Sequence, residues 1–398
     1  DEIKKAMKNG CPFFTAFLIA VYWLAQDDGG SWRQETICRV SSLGYTIGQK
    51  EKAGTTMEKL YFASDYMETA APEIIERLAA LSGKKFTGSV ADEISEPPRE
   101  KSTAAAGVPE GEVHFLVGGT QTNATVIDTM LRPYEGVIAA ATGHVSVHEA
   151  GAIEYGGHKV LALPAVEGKI RAKDIDSLAD TYWNDENHEH MVMPAMVYIS
   201  QPTEYGTLYS LKELREISGA CRKWKLALYV DGARLAYGLS ARGNDVTLKD
   251  LASLTDVFYI GGTKCGALLG EAVVFPKKGT VPHFFTMVKQ HGALLAKGWA
   301  AGLQFDTLFT GGLYEKLGRN GDEMADRIRQ ALDEKGYVQD VRNSTNQIFL
   351  TLTHEEARRL SEKVEMGFWE NKGDKVVMRI ATSWATTEEE TETLIKLL

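Results

Sequence analysis

The chain has 398 residues, of which 44% are hydrophobic, 25% charged and 9% aromatic. Such fractions are ordinary for globular proteins and exclude disorder or a fibrous repeat, and the length predicts two or three units of roughly 100–200 residues each. The net charge of −10, from 44 Lys+Arg against 54 Asp+Glu, comes without a basic patch and argues against nucleic acid or an anionic membrane as partner. The four cysteines, Cys11, Cys38, Cys221 and Cys265, form no CxxC pair. This predicts a reducing, cytoplasmic setting with neither a disulfide framework nor a zinc site.

The amino end differs from the rest. Residues 12–25, PFFTAFLIAVYWLA, form an apolar run behind Lys4, Lys5 and Lys8. At 14 residues the run falls short of the ~20 that span a bilayer. A basic start before an apolar run also suits a signal peptide, but the run meets Gln26-Asp27-Asp28 without a small-x-small cleavage site. The expectation is an extension, residues 1–56, outside the catalytic fold, with a signal peptide as the alternative. A large unit over 57–310 and a small carboxyl-terminal one over 311–398 complete the organisation.

From residue 110 onward, short apolar runs alternate with helical periods. VHFLV (113–117), VIAAA (137–141), KVLALP (159–164), AMVYIS (195–200), LALYV (226–230), VFYI (257–260) and AVVF (272–275) read as strands buried on both faces. The helix 211–224 opens on a Ser210/Glu213 capping box and carries Leu211, Leu214, Ile217, Cys221 and Trp224 as one stripe. Such alternation predicts an α/β fold, a mostly parallel sheet covered by helices. After residue 310 a helix near 313–336, a strand at 347–352, a helix at 355–364 and a strand at 376–381 predict the smaller α/β unit.

Three polar loops follow predicted strands, where open parallel sheets bind ligands. The first, Gly118-Gly119-Thr120-Gln121-Thr122-Asn123, opens a helix and offers backbone N–H groups and the Thr120 hydroxyl to an anion. It is neither a Walker loop nor a GxGxxG turn, and alone it is also compatible with an ordinary strand-to-helix turn. The second is Asp231, with Arg234 three residues on. A carboxylate ending a buried strand can hold a cationic partner, and a guanidinium fork suits a carboxylate. The third is Lys264 in Gly261-Gly262-Thr263-Lys264, where desolvation would make the amine a nucleophile able to form a Schiff base. A phosphate cradle, an aspartate for a pyridinium nitrogen and a Schiff-base lysine, in that order, are the parts that hold pyridoxal 5′-phosphate (PLP). His188 and His190 sit in a charged stretch without a ligand set and read as a solvated loop rather than a metal site. Trp183, Trp224 and Trp299 read as packing.

With these motifs the chain resembles the threonine aldolase/β-eliminating lyase family of fold-type-I PLP enzymes. The resemblance rests on Ala63-Ser64-Asp65, GGTQTN, His144 with Glu149-Ala150-Gly151, DGAR, GGTKCG and Arg379, and covers residues 57–398. It implies a large PLP-binding unit and a small carboxyl-terminal one. Lys264 would bind the cofactor covalently, Asp231 would keep its ring nitrogen protonated, His144 would stack on the ring, and Gly119 and Thr120 would hold the phosphate. Ser64, Arg234 and Arg379 would hold the substrate carboxylate. The implied reaction is retro-aldol cleavage of L-threonine or L-allo-threonine to glycine and acetaldehyde, with His144, His148 or a water as the base for the β-hydroxyl. A homodimer or homotetramer is implied, with Lys289 or Lys297 reaching a neighbour's phosphate. Three departures stand out. Gly88-Ser89-Val90 replaces an aromatic turn, Cys265 follows the lysine where glycine is common, and Gln201-Pro202-Thr203-Glu204-Tyr205-Gly206 replaces an Asn-rich loop. Alternatives are β-elimination or racemisation through the same cofactor, a non-catalytic descendant, and, more remotely, a nicotinamide dehydrogenase.

Overall fold

The computed structural model describes residues 59–86 and 96–398. The expectations for residues 1–56, including Cys11 and Cys38, and for Gly88-Ser89-Val90 lie outside the described residues. In chain order the described strands are β1 (Leu60–Phe62), β2 (Glu112–Leu116), β3 (Glu135–Ala140), β4 (Val160–Leu163), β5 (Met193–Ser200) and β6 (Ala227–Asp231). They continue as β7 (Val257–Gly261), β8 (Glu271–Phe275), β9 (Val338–Gln339), β10 (Gln347–Thr353), β11 (Val364–Lys372) and β12 (Lys375–Ala381).

Seven strands form one sheet in the order β2-β8-β7-β6-β5-β3-β4. The pairings β3–β4, β3–β5, β5–β6 and β6–β7 are parallel, whereas β8 runs antiparallel to both β2 and β7. Two successive reversals return β2 to the direction of β7. The turns after β2, β3, β5, β6 and β7 therefore all emerge on the same edge. All five residues of β7 and of β8 are buried, as expected of strands covered on both faces. The core divides accordingly into one cluster containing Ile138, Val197, Val230 and Phe258 and another containing Val137, Tyr198, Tyr229 and Tyr259. Alternate residues of one strand serve opposite faces.

The helix Leu211–Trp224 opens on the capping box read from the sequence, with Ser210 and Glu213 bonding reciprocally. Its buried residues include Leu214, Ile217 and Cys221, while Trp224 anchors its far end through Nε1 to Asp176 Oδ1 at 2.6 Å. Trp183, by contrast, is nearly half exposed and packs edge-on against Tyr182. His188 closes on the same pair of rings, within the short turn His188–His190.

The second sheet has the order β1-β11-β12-β10-β9. The sequence reading misses β1, β11 and the two-residue β9. β1 is three residues long and pairs parallel with the start of β11. In β11 the polar and aromatic run Gly367–Lys372 is largely exposed and lacks the apolar alternation that marks a strand. Residues 60–62, which the sequence reading groups with the large unit, thus form an edge of this second sheet. No helix among the described residues is long and apolar enough to cross a membrane.

The long helix Leu313–Glu334 packs against Leu235–Ser240 through a buried carboxyl. Asp322 Oδ2 lies 2.7 Å from Ser240 Oγ, and Oδ1 is buried without a partner among the described residues. Burial pushes this carboxyl up to about 8, against the pull of the Ser240 hydroxyl. A group whose pKa rises on folding stabilises fully below its unfolded value near 4, and loses that contribution as pH climbs through 8. Thermal unfolding followed between these pH values should show a falling Tm for the native chain. Asp322→Asn, which cannot ionise, should lose several degrees less, and parallel curves would contradict the account.

Candidate active site

The two loops that carry the chemistry lie against each other. A Cβ on Gly232 would stand 2.0 Å from the carbonyl oxygen of Tyr259, and one on Gly261 would stand 2.3 Å from that of Ala233. Any side chain there would force the DGAR and GGTK turns apart, and with them Asp231 and Lys264. Gly261 N–H donates to Gly232 O at 2.9 Å and holds the approach.

Asp231 ends β6 and is 4% exposed. It accepts from Tyr198 Oη at 2.5 Å, Asn123 Nδ2 at 3.1 Å and the Ala233 N–H at 2.9 Å. Burial opposes its charge, but the nearby His144 and the hydroxyl of Tyr198 hold the carboxyl below its ordinary value. His144 opens the turn after β3, and its Nδ1 lies 2.7 Å from Glu149 Oε1. The same Glu149 oxygen accepts from Asn123 Nδ2 at 2.7 Å, while Tyr229 Oη donates to Asn123 Oδ1 at 2.7 Å. Asn123 therefore joins the imidazole's partner to the buried aspartate.

Lys264 follows β7. Burial and the Arg234 guanidinium depress its amine, while Asp65 and Asp231 oppose the shift. Behind it, Glu271 accepts from the Gly262 N–H at 3.0 Å, and burial raises its carboxyl to about 8. Cys265 is buried and burial pushes its thiol up to about 12, so it is an inert packing residue.

Lys264, His144, His148, Glu204, Arg234 and Arg379 line one cavity of about 570 Å³. A smaller inner recess shares Lys264, His144, Glu204 and Arg234 and adds Gly119 and Asp231. The rim is aromatic, with Tyr66, Tyr205, Phe368 and Trp369. Burial lowers the pKa of His148, with its neighbours His144 and Arg379 acting in the same direction.

The second sheet supplies Arg379 on β12, while Arg234 follows β6 of the first sheet. Arg234 is held by a bidentate pair with Asp65, Nε to Oδ2 at 2.6 Å and Nη2 to Oδ1 at 2.9 Å, and Asn346 Nδ2 also donates to Asp65 at 2.8 Å. Arg379 donates to Ala63 O at 2.8 Å and Gln347 Oε1 at 3.2 Å, and its buried Nε has no partner among the described residues. Ser64, an expected carboxylate ligand, does not line the cavity. Its neighbours do the work there: Asp65 grips Arg234, and the Tyr66 ring lies 6.0 Å from Lys264 Nζ. Thr120 is exposed on the first turn of the helix Gly119–Met130, and Gly119 before it lines the inner recess. Lys289 and Lys297 are exposed and do not line the cavity.

These residues fit PLP. An ionised buried carboxylate suits a cationic ring nitrogen, a depressed amine suits covalent attachment, a glycine-opened helix start suits a phosphate, and two guanidinium groups suit a substrate carboxylate. Sequence reasoning missed Asn123, Glu204, Asp65 and Tyr198 as parts of this site. Asn123 and Asp65 sit inside motifs quoted for other members, whereas Tyr198 is masked within an apolar strand.

Sheet order and site geometry together define the fold-type-I architecture with a pocket whose residues fit PLP. The comparisons narrow this class. Residues 62–357 match the beta-eliminating lyase family, and the chain belongs to that family. It is similar to the low specificity L-threonine aldolase of Pseudomonas aeruginosa, at 32% identity over 49% of this chain and 58% of that protein. The corresponding protein of Pseudomonas sp. is also 32% identical, over 47% of this chain and 53% of its own length. The aligned part thus spans little more than half the length of these curated relatives. A solved structure of Leishmania major threonine aldolase superimposes with a TM-score of 0.82 at 39% identity, covering 85% of this chain and 98% of that one. Aspartate aminotransferase of Thermus thermophilus, at 14% identity and a TM-score of 0.63, shares the fold.

Asp65 is fully buried, and although burial works against its charge, Arg234 and Lys264 bring its pKa down to about 2. A depressed carboxyl stabilises above its unfolded pKa and loses that contribution as pH falls through the folded one. Asp65→Asn should cost on the order of 2–3 kcal/mol in urea unfolding at neutral pH, with the gap closing in strong acid. An unchanged midpoint at neutral pH would show that the pair contributes nothing.

Proposed function

We propose that this protein uses PLP to cleave β-hydroxy-α-amino acids, L-threonine or L-allo-threonine, into glycine and acetaldehyde. The observation that carries the reading is the meeting of a depressed lysine amine, an ionised buried aspartate and two guanidinium groups around one cavity and its inner recess. PLP, when bound, supplies a ring that accepts the electron pair of a bond broken at Cα.

The chain's own residues supply the rest. Lys264 would attach the cofactor through its amine. Asp231 would hold a proton at the ring nitrogen and so keep the ring electron-poor. His144, fixed through Nδ1 by Glu149, would lie against the ring, and Gly119 and Thr120 would hold the phosphate at the helix start. Arg379 and the free edge of Arg234 would hold the substrate carboxylate and so orient the Cα–Cβ bond. Catalysis by a homodimer or homotetramer in the cytoplasm, without nucleic acid or membrane, belongs to the same reading, with Lys289 or Lys297 reaching a neighbour's phosphate. Its supports are the exposure of both lysines and the free, buried thiols of Cys221 and Cys265.

The test is product analysis of the purified protein with added PLP and L-threonine. Acetaldehyde and glycine in equal amounts are expected. A keto acid with ammonia, or D-threonine, would overturn the reading in favour of elimination or racemisation. Lys264→Ala should abolish the absorbance band of the lysine-bound cofactor together with turnover, and normal turnover would exclude the assignment. Arg379→Ala should raise KM and also lower kcat, because one clamp both binds and orients. If neither parameter moves, Arg379 is structural.

A further inference from the structure

We infer that Glu204, rather than a histidine, takes the proton from the β-hydroxyl of the substrate, a proposal that rests on the retro-aldol reading above. Glu204 lies in the loop Gln201–Gly206 that follows β5, and it lines both the outer cavity and the inner recess that holds Asp231 and Lys264. Its Oε1 accepts from Ser200 Oγ at 2.6 Å and from the His144 N–H at 2.9 Å. Those two bonds fix the carboxyl and leave Oε2 for a ligand.

The loop itself is pinned. Thr203 N–H donates to Thr207 O at 2.9 Å, Asn343 Nδ2 to Tyr205 O at 2.8 Å and Thr345 Oγ1 to Gly206 O at 2.9 Å. Gln347 Nε2 donates to the Glu204 backbone carbonyl at 3.4 Å and Oε1 accepts from Arg379, so the loop backbone at Glu204 and the proposed carboxylate clamp share a support. A base must be held this way to act on a hydroxyl at hydrogen-bond range. Burial raises the carboxyl above its ordinary value, against the Ser200 hydrogen bond, which makes its ionised form a stronger base than a solvated glutamate.

The histidines are placed less well. His144 is committed through Nδ1 to Glu149. His148 lines the outer cavity but not the recess, and its ring packs 5.9 Å from Trp369. In the step, the β O–H bond breaks and its proton passes to Glu204 Oε2. The oxygen's electron pair forms the aldehyde C=O, and the Cα–Cβ pair stays with Cα. Glu204 then gives its proton to solvent and Cα takes one from solvent, so the protons balance and no oxidant or reductant is needed.

The experiment compares the holoenzyme with Glu204→Gln in two reactions. Threonine cleavage needs a base for the hydroxyl, whereas exchange of the glycine α-proton in heavy water does not. Cleavage should fall by about 100-fold or more while glycine exchange and the cofactor band stay near those of the native protein. The Tm of the cofactor-free variant checks that the fold is intact. If both reactions fall together, Glu204 serves the cofactor or the fold, and the inference is overturned. If neither falls, it is overturned as well. Should Glu204→Gln fail to fold, Ser200→Ala provides the second arm. Losing that donor raises the Glu204 pKa, so the acid limb of kcat/KM should move to higher pH, and an unmoved limb would count against the proposal. A native protein that gives no glycine from threonine would instead defeat the parent reading.

Discussion

An ionised carboxylate buried at the end of β6 is the constraint on which the site depends. An isolated charge in such a place is costly, and it persists only where donors converge on it. Asp231 has Tyr198 from β5, Asn123 from the helix after β2, the Ala233 N–H of its own turn and the field of His144 from the turn after β3. Four segments distant in sequence therefore have to meet for one negative charge to survive. The parallel register of β5 and β6, which sets Ser200 beside Asp231, brings two of them together. Asn123 ties in the others by bonding Glu149 and Asp231 through one amide nitrogen.

The cations are arranged around that charge in a graded way. Arg234 is neutralised by its fork onto Asp65, and Arg379 is braced by a carbonyl and an amide, which leaves it more charge to offer a ligand. Lys264 stands next to Arg234, and its amine is depressed for that reason and by burial. One surplus of positive charge thus serves two ends, making the lysine nucleophilic and the pocket attractive to a carboxylate.

Much of the fold was legible in the sequence, because buried parallel strands have a simple signature. The runs at 137–141, 195–200 and 257–260 and the helix 211–224 fall on β3, β5, β7 and the helix Leu211–Trp224. The three loops were legible too, since glycine next to a chemically active residue is a local signal. What escaped was tertiary. β1 is too short to show a period, and the exposed part of β11 is too polar. Asp65 matters only because it meets Arg234, 169 residues away. Glu204 looked like one member of an unfamiliar loop, and its importance comes from facing a recess that no linear pattern describes. Ser64 was chosen by motif, whereas its neighbours Asp65 and Tyr66 are the ones that reach the site.

The central claim is that Asp231 holds a protonated ring nitrogen. It is tested most directly by the nitrogen-15 resonance of ring-labelled PLP in the reconstituted protein. The account predicts a protonated nitrogen at neutral and mildly alkaline pH, lost in Asp231→Asn. A nitrogen that is unprotonated in the native protein at neutral pH would contradict it.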